Sequence, residues 1–432
     1  MRGLSLEPFT TLALNEDSLK YFIGRERMIT DMGNLILDHQ NFGITGAPGT
    51  GKTTILNILK KNLMEQKVFT KVHKIISFNF TIANSADFLK RFLFILLENL
   101  EPKDISKINL RKISDDFLFT TGLQEFLRSL VRYEPTKELD SYQILRLYSD
   151  FIKTELKEKD ASKVISFISP ENLLFLIVKI LKNLKKHVVF FVDDMDKVIH
   201  DPLTNNTSED RLASLLFELK DLMELSQTTW VFTLPINFYE KYKINPSIPQ
   251  TTSFLGIFSD IFLLHNFSRK RTVEMFRVRL ESSDFKGKII DFIDSYALNL
   301  LLDLSRGNPR LFLYFLRKAY KYKEECLKRG ETEESVPGNE TGKEKTPDSR
   351  IKINHILSSI DYIFNLDERN KKILAYIAYK QKTDSNDHGL QETTGLDRLA
   401  INRRLKELTE NGILDYFLDQ YGKRIYITKK LT

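Results

Sequence analysis

Cysteine is almost missing from this chain: Cys326 is the only one in 432 residues. One thiol excludes an intramolecular disulfide and a zinc site built from cysteines. Long apolar runs are missing too. None reaches the ~18 residues that a membrane-crossing helix needs, so no membrane association is expected. The opening stretch, "MRGLSLEPFTTLALNEDS", holds no long apolar segment and soon turns acidic, unlike a secretory leader. A cytoplasmic, intracellular protein is the expectation. No internal repeat is visible. An acidic excess is also lacking. There are 65 basic and 58 acidic residues, a net charge of +7, which leans mildly toward a polyanionic partner. The 42% of hydrophobic residues is ordinary for a chain with a sizeable core. The length suggests two or three domains. The 31 phenylalanines, with many Ile and Lys, are read as a compositional habit without functional meaning.

The periodicity places elements in a recognisable order. "NFGIT" (41–45), "VHKIISFNF" (72–80), "HVVFFV" (187–192) and "TTWVFTLP" (228–235) read as strands. "GIFSDIFLL" (256–264) reads as one more. Residues 53–66 and most of 84–184 carry apolar side chains at helical spacing. Strands alternating with helices predict an α/β fold with a parallel sheet. After Phe267 the strands stop, and three helical stretches follow, the last beginning at "NPRLFLYFL". Pro309 is tolerable in a first helical turn. Residues 329–350 are nearly devoid of apolar side chains, which reads as a flexible linker. The expected organisation is an N-terminal extension (1–20), a nucleotide-binding α/β domain (21–264) with a helical insertion (84–184), a helical lid (265–328), the linker (329–350) and a C-terminal module (351–432).

Residues 46–53, "GAPGTGKT", match G-x-x-x-x-G-K-S/T between an expected strand and an expected helix. The loop of Gly46, Ala47, Pro48, Gly49, Thr50 and Gly51 would wrap phosphate oxygens with its backbone N–H groups, which every one of these residues except Pro48 has, beside a helix N-terminus. Lys52 would reach the β- and γ-phosphates, and the Thr53 hydroxyl would hold Mg²⁺. Thr54 continues the motif. The expected cofactors are ATP (or ADP) and Mg²⁺. "HVVFFVDDMDK" (187–197) places acids directly after a buried-looking strand. On its own this reads equally well as a strand ending in solvated turn residues. Opposite a phosphate loop, Asp193 fits a metal ligand and Asp194 fits the group that orients the attacking water. Asp196 and Lys197 read as surface residues. Asp194 is one methylene shorter than glutamate, and misplacement by ~1 Å can cost about 100-fold in rate.

Four segments together resemble the AAA+ ATPases, in the branch of origin-recognition (replication-initiator) proteins and certain transposition ATPases. They are "FIGRERMI" (22–29), "GAPGTGKTT" (46–54), "VVFFVDDMDK" (188–197) and "GNPR" (307–310). The resemblance covers roughly residues 20–326. It implies that Ile23 and Gly24 line the adenine and that Arg310 is the sensor-2 arginine touching the γ-phosphate from the lid. It implies a sensor-1 residue near the end of the 228–237 stretch: Thr233 or Asn237, with Asn237 preferred. The catalytic set is then Lys52, Asp194, Asn237 and Arg310. One departure is plain: from Pro235 to Leu264 there is no arginine, where the family places a finger for its neighbour. Lys241 and Lys243 are poorer donors than a planar guanidinium. The 84–184 insertion is long for the family and is a candidate contact for a protein partner.

Residues 364–432 read as helices followed by two strands around a Tyr-Gly turn, an order that resembles a winged helix-turn-helix. Ile373, Leu374, Ile377 and Ala378 share one face of the first helix. Leu399, Leu405 and Leu408 are expected in the core of the last. Arg398, Asn402, Arg403 and Lys406 would then face a DNA groove. Lys423 and Arg424 would meet phosphates from the wing. From residue 398 onward there are 8 basic and 4 acidic residues.

Two functions compete. One is an ATP-binding, ATP-hydrolysing protein that binds double-stranded DNA, self-assembles on it, and serves replication initiation or mobile-element transactions. Such a protein would be nucleoid- or nucleus-associated. The other is a slowly hydrolysing regulatory switch acting on a protein partner. No guanine-reading Asn-Lys-x-Asp motif favours a GTPase, and no second nucleotide-binding domain favours a motor helicase.

Overall fold

In a computed structural model, the described residues are 7–79, 85–99, 186–195, 208–243, 257–283, 285–329, 350–364, 366–421 and 423–428, with a few positions between 174 and 184. Most of the expected insertion, nearly all of the expected linker, and Asp196 and Lys197 lie outside them.

The described helices are α1 (Glu26–Leu37), α2 (Lys52–Glu65), α3 (Lys67–Val72), α4 (Ser85–Asn99), α5 (Ser208–Glu218), α6 (Lys220–Met223) and α7 (Ile236–Lys243). Then come α8 (Arg269–Glu281), α9 (Ile289–Phe292), α10 (Ser295–Ser305) and α11 (Pro309–Arg329). The C-terminal set is α12 (Ile353–Phe364), α13 (Glu368–Lys380), α14 (His388–Thr394) and α15 (Arg398–Glu410). The strands are β1 (Phe42–Gly46), β2 (His73–Asn79), β3 (His187–Asp193), β4 (Thr228–Leu234), β5 (Asp260–Leu264), β6 (Leu414–Leu418) and β7 (Arg424–Thr428).

The chain divides into two compact units. The first holds Arg25–Ala47 and Ile55–Leu264. Its sheet runs β2-β3-β4-β1-β5 with every pair parallel. β1, β3 and β4 are buried along nearly their whole length. That is why they read as unbroken apolar runs rather than alternating ones. Trp230 anchors the core: it is 1% exposed, with Phe190 stacked at 4.3 Å and Phe92 at 5.2 Å. Its Nε1 donates to Thr228 Oγ1 at 3.1 Å, so the one polar atom of the ring is satisfied.

Three imidazoles gather in this unit, two of them at the amino ends of strands. His73 opens β2, His187 opens β3, and the His39 ring lies 3.9 Å from that of His187. Burial, followed by the nearby His39 and His73, pushes His187 down to about 4, and burial also lowers His73. At His73 and His187 the neutral ring is therefore the folded form. Their contribution to stability is present above the unfolded pKa of about 6.5 and is lost as pH falls toward 4. Discounted for partial exposure, about 1–2 kcal/mol should disappear between pH 7 and pH 4.5. Urea midpoints across that range measure it, and His187→Gln should flatten the dependence.

The second unit holds Met1–Gly24, Pro48–Thr54 and His265–Thr432. Side-chain caps start its helices. Ser268, Asp294, Asp367, Asp387 and Asp397 each accept from backbone N–H groups of the turn that follows. One core joins the expected lid to the C-terminal module, running from Met275 and Phe276 through Leu300, Phe312, Ile356 and Ile373 to Leu405 and Tyr426. Polar contacts repeat the connection. Asp303, 8% exposed, pairs with Arg269 and accepts from Thr428 Oγ1 at 2.6 Å. Arg306 donates to the Gly412 carbonyl. The Ile293 and Ile351 backbones form a parallel bridge.

The N-terminal segment is part of this core rather than an appendage. Phe9 is 1% exposed, between Phe276 and Phe292. Arg279, which burial lowers to about 10, donates to the Pro8 carbonyl at 2.6 Å. The module itself is a winged helix with one helix more than the sequence pattern indicates, α12.

Candidate functional site

The carboxyl edge of the parallel sheet collects the candidate residues of the first unit. β1 ends at Gly46, and the phosphate loop leaves it directly for α2. β3 carries the acid pair, and β4 is hydrogen-bonded between β1 and β3. Two strand spacings separate β1 from β3, about 10 Å. The register pairs Val192 with Phe232, so Asp193 and Thr233 are the next residues of neighbouring strands.

Their side chains meet. Thr233 Oγ1 donates to Asp193 Oδ1 at 2.7 Å and accepts from the Asp194 N–H at 3.1 Å. The Asp194 N–H also reaches Asp193 Oδ1, at 2.9 Å. Thr233 and Asp193 are both buried. This corrects the preference for Asn237, which is exposed in the first turn of α7. The sequence offers both residues at the strand end. Strand register decides between them, and register is a long-range property.

Asp194 has φ 60°, in the left-handed region. Asp and Asn are among the few residues with a side chain that tolerate this conformation. The backbone therefore explains why the shorter acid stands here.

In the second unit, Gly49 and Gly51 adopt φ 88° and 100°, which only glycine adopts without strain. A Cβ on Gly49 would come within 2.7 Å of Asn308 Oδ1 and 2.9 Å of Arg310 Cβ. GNPR thus lies directly on the phosphate loop, with Arg310 in the first turn of α11. Asn308 Nδ2 donates to the Pro48 carbonyl at 2.8 Å, a contact that sequence reasoning missed. Thr50 and Thr54 are buried, Thr53 and Lys52 half-buried. Thr54 Oγ1 accepts from the Leu14 N–H at 3.2 Å. Ile23 packs against the core of this unit, and Gly24 is buried with φ 74°.

For Mg²⁺, the chemistry of the donors fits. Asp193 uses Oδ1 in the contacts above, which leaves Oδ2 for a cation or its waters. Among the described residues no group of three or more His, Cys, Asp or Glu could hold a metal ion. Mg²⁺ is ordinarily held this way, by one or two protein oxygens with the remainder from phosphates and water.

On the winged helix, some of the residues expected at the surface are exposed and others are paired or stacked. Arg398, Asn402, Arg403 and Lys406 are exposed on α15. Lys406 pairs with Glu410 at 3.7 Å, and Arg398 and Arg403 make no ion pair among the described residues. Leu399 is not core: it is 77% exposed. Ile401, Leu405 and Leu408 are buried instead, at the i, i+4, i+7 spacing of one helix face. Lys423 pairs with Asp384, 2.9 Å from its Oδ2, and the Arg424 guanidinium lies 4.8 Å over the Tyr416 ring. Neither is a free cation at the wing tip, where Tyr421 is 84% exposed.

Strand order, glycine loop and acid pair make a P-loop-type α/β fold, followed by a winged helix at the carboxyl end. A family model described as the KAP family P-loop domain matches residues 34–208, fewer than half of the 432. No curated protein matches the chain. Among solved structures, the chain is similar to the Aeropyrum pernix ORC1 protein in complex with DNA, at 15% identity, 96% of this chain, 92% of that one and a TM-score of 0.41. It is also similar to Cdc6p from Pyrobaculum aerophilum, at 12%, 97%, 95% and 0.43. A Walker-type ATPase of Pyrococcus abyssi matches at 13%, 98%, 97% and 0.35. Likenesses at such scores say nothing of what this chain binds. Among the described residues no helix is long and apolar enough to cross a membrane.

Proposed function

We propose that the protein binds ATP with Mg²⁺, hydrolyses it slowly, and uses the nucleotide to control a winged helix that binds double-stranded DNA. The observation that carries this reading is the composition of the second unit: phosphate-loop residues Pro48–Thr54, lid and winged helix lie in one compact body. A change at the loop therefore has a packed route to α15. Lys52 and the loop N–H groups bind the phosphates, Arg310 reads the γ-phosphate, and Thr53 and Asp193 are the candidate donors for Mg²⁺. Asp194 orients the attacking water, with its backbone fixed by Thr233. Mg²⁺, when bound, offsets phosphate charge. Self-assembly on DNA, in replication initiation or mobile-element transactions, is the biological use that fits.

Arg398 and Arg403 are the cations best placed for phosphates or base edges, and alanine at both positions suits a helix. Arg398→Ala with Arg403→Ala should weaken duplex binding. It should also make the slope of log affinity against log salt shallower by about two. Fluorescence anisotropy at three salt concentrations measures both. Unchanged affinity would move the winged helix to a protein partner. That second reading has its own observation: Leu399, Phe417, Leu418 and Tyr421 are all exposed on the winged helix. Apolar groups there suit a nucleotide-gated protein contact.

A further inference from the structure

We infer that Asn308 is a positioning residue that sets the orientation of the Pro48–Gly49 peptide and so couples the lid to phosphate binding. The functional half of this inference rests on the nucleotide reading above. The structural half does not.

Asn308 is 7% exposed and uses both ends of its amide. Oδ1 accepts from the backbone N–H groups of Arg310 at 3.1 Å and Leu311 at 3.2 Å, and so caps α11. Nδ2 donates to the Pro48 carbonyl at 2.8 Å. The opposite amide orientation would aim Nδ2 at two N–H donors and Oδ1 at a carbonyl, so the chemistry permits only this one. The Asn308 backbone is held as well, its N–H donating to the Ser305 carbonyl at 2.8 Å.

A trans peptide is planar, with C=O and N–H pointing opposite ways. With the Pro48 oxygen held toward the lid, the Gly49 N–H points away from it. That N–H belongs to the run of donors that a phosphate loop offers its anion. Gly49 is conformationally permissive, so without a partner the peptide is free to rotate. The phosphate-loop motif leaves position 49 open to any residue. Glycine is required here for another reason: a Cβ would come 2.7 Å from Asn308 Oδ1. The absent side chain is what admits the asparagine.

Asn308→Ser and Asn308→Asp separate the cap from the latch. Both new side chains accept at a helix N-terminus. Serine is too short to reach the Pro48 carbonyl, and an aspartate carboxylate has no proton to donate. Amide hydrogen exchange without nucleotide should quicken in residues 46–54 of both variants and stay unchanged in residues 309–315. Release of a fluorescent ADP analogue should be about 3–10-fold faster, the value of one hydrogen bond. Wild-type exchange in residues 46–54 of both variants would overturn the inference and leave Asn308 as a helix cap. A wild-type protein that binds no nucleotide would end the functional reading, while the exchange experiment would still decide the latch.

Discussion

Lys52→Ala is expected to abolish stabilisation of the protein by ATP and to weaken nucleotide binding about 100-fold. The ammonium is the one full positive charge the loop itself carries. Charge-assisted hydrogen bonds to phosphate are worth about 1.5–3 kcal/mol, which corresponds to roughly 10–150-fold in affinity. For a ligand at a hundred times its Kd, the wild type should gain about 2.7 kcal/mol of unfolding free energy. The variant should gain almost none. Its stability without nucleotide should match the wild type, because Lys52 is only half-buried at the start of α2. Thermal shift with and without MgATP, beside a direct titration, measures both halves. Retention of the full ligand-induced shift would mean that nucleotide binds elsewhere.

Asp194→Asn should keep nucleotide binding and reduce turnover by at least about 100-fold, since an amide cannot accept the proton or orient the water as a carboxylate does. The fold should not object, because asparagine is among the residues that best accept the left-handed conformation at φ 60°. Asp194→Glu makes the opposite point. It extends the acid by one methylene, yet the longer side chain gains no local hydrogen bond at a left-handed backbone. About 1 kcal/mol of stability should be lost, with no gain in rate. Single-turnover hydrolysis and urea midpoints distinguish the two variants. Faster turnover in Asp194→Glu would show that carboxylate reach, rather than backbone conformation, limits the chemistry.

The features legible in the sequence are those that depend on near neighbours. Glycines at 46, 49 and 51 with Lys52 and Thr53 are a local pattern. So is an apolar run ending in Asp193 and Asp194, and so are the two strands around the turn at Tyr421. Strands β1, β3 and β4 follow from runs of apolar and β-branched residues because they are parallel strands buried on both faces. What was not legible depends on pairing across the chain. Thr233 rather than Asn237 meets the acid pair because β3 and β4 end in the same row. Phe9 joins a core 267 residues further on, a partnership that no periodicity announces. Leu399 misleads because apolar type alone does not fix a helix face; Ile401, Leu405 and Leu408 form the buried row. Lys423 reads as a wing-tip cation until Asp384 is brought beside it. Asn308 looks like the spacer of GNPR, and only the folded lid shows it gripping the phosphate loop.

The most direct test of the account is steady-state ATP turnover by the purified protein, with and without duplex DNA, beside Lys52→Ala. The account predicts slow turnover that rises when DNA is added, that Lys52→Ala abolishes, and that the Arg398→Ala with Arg403→Ala variant no longer couples to DNA. Turnover indifferent to DNA, in a protein that still binds ATP tightly, would contradict the coupling and favour a switch that acts on a protein partner.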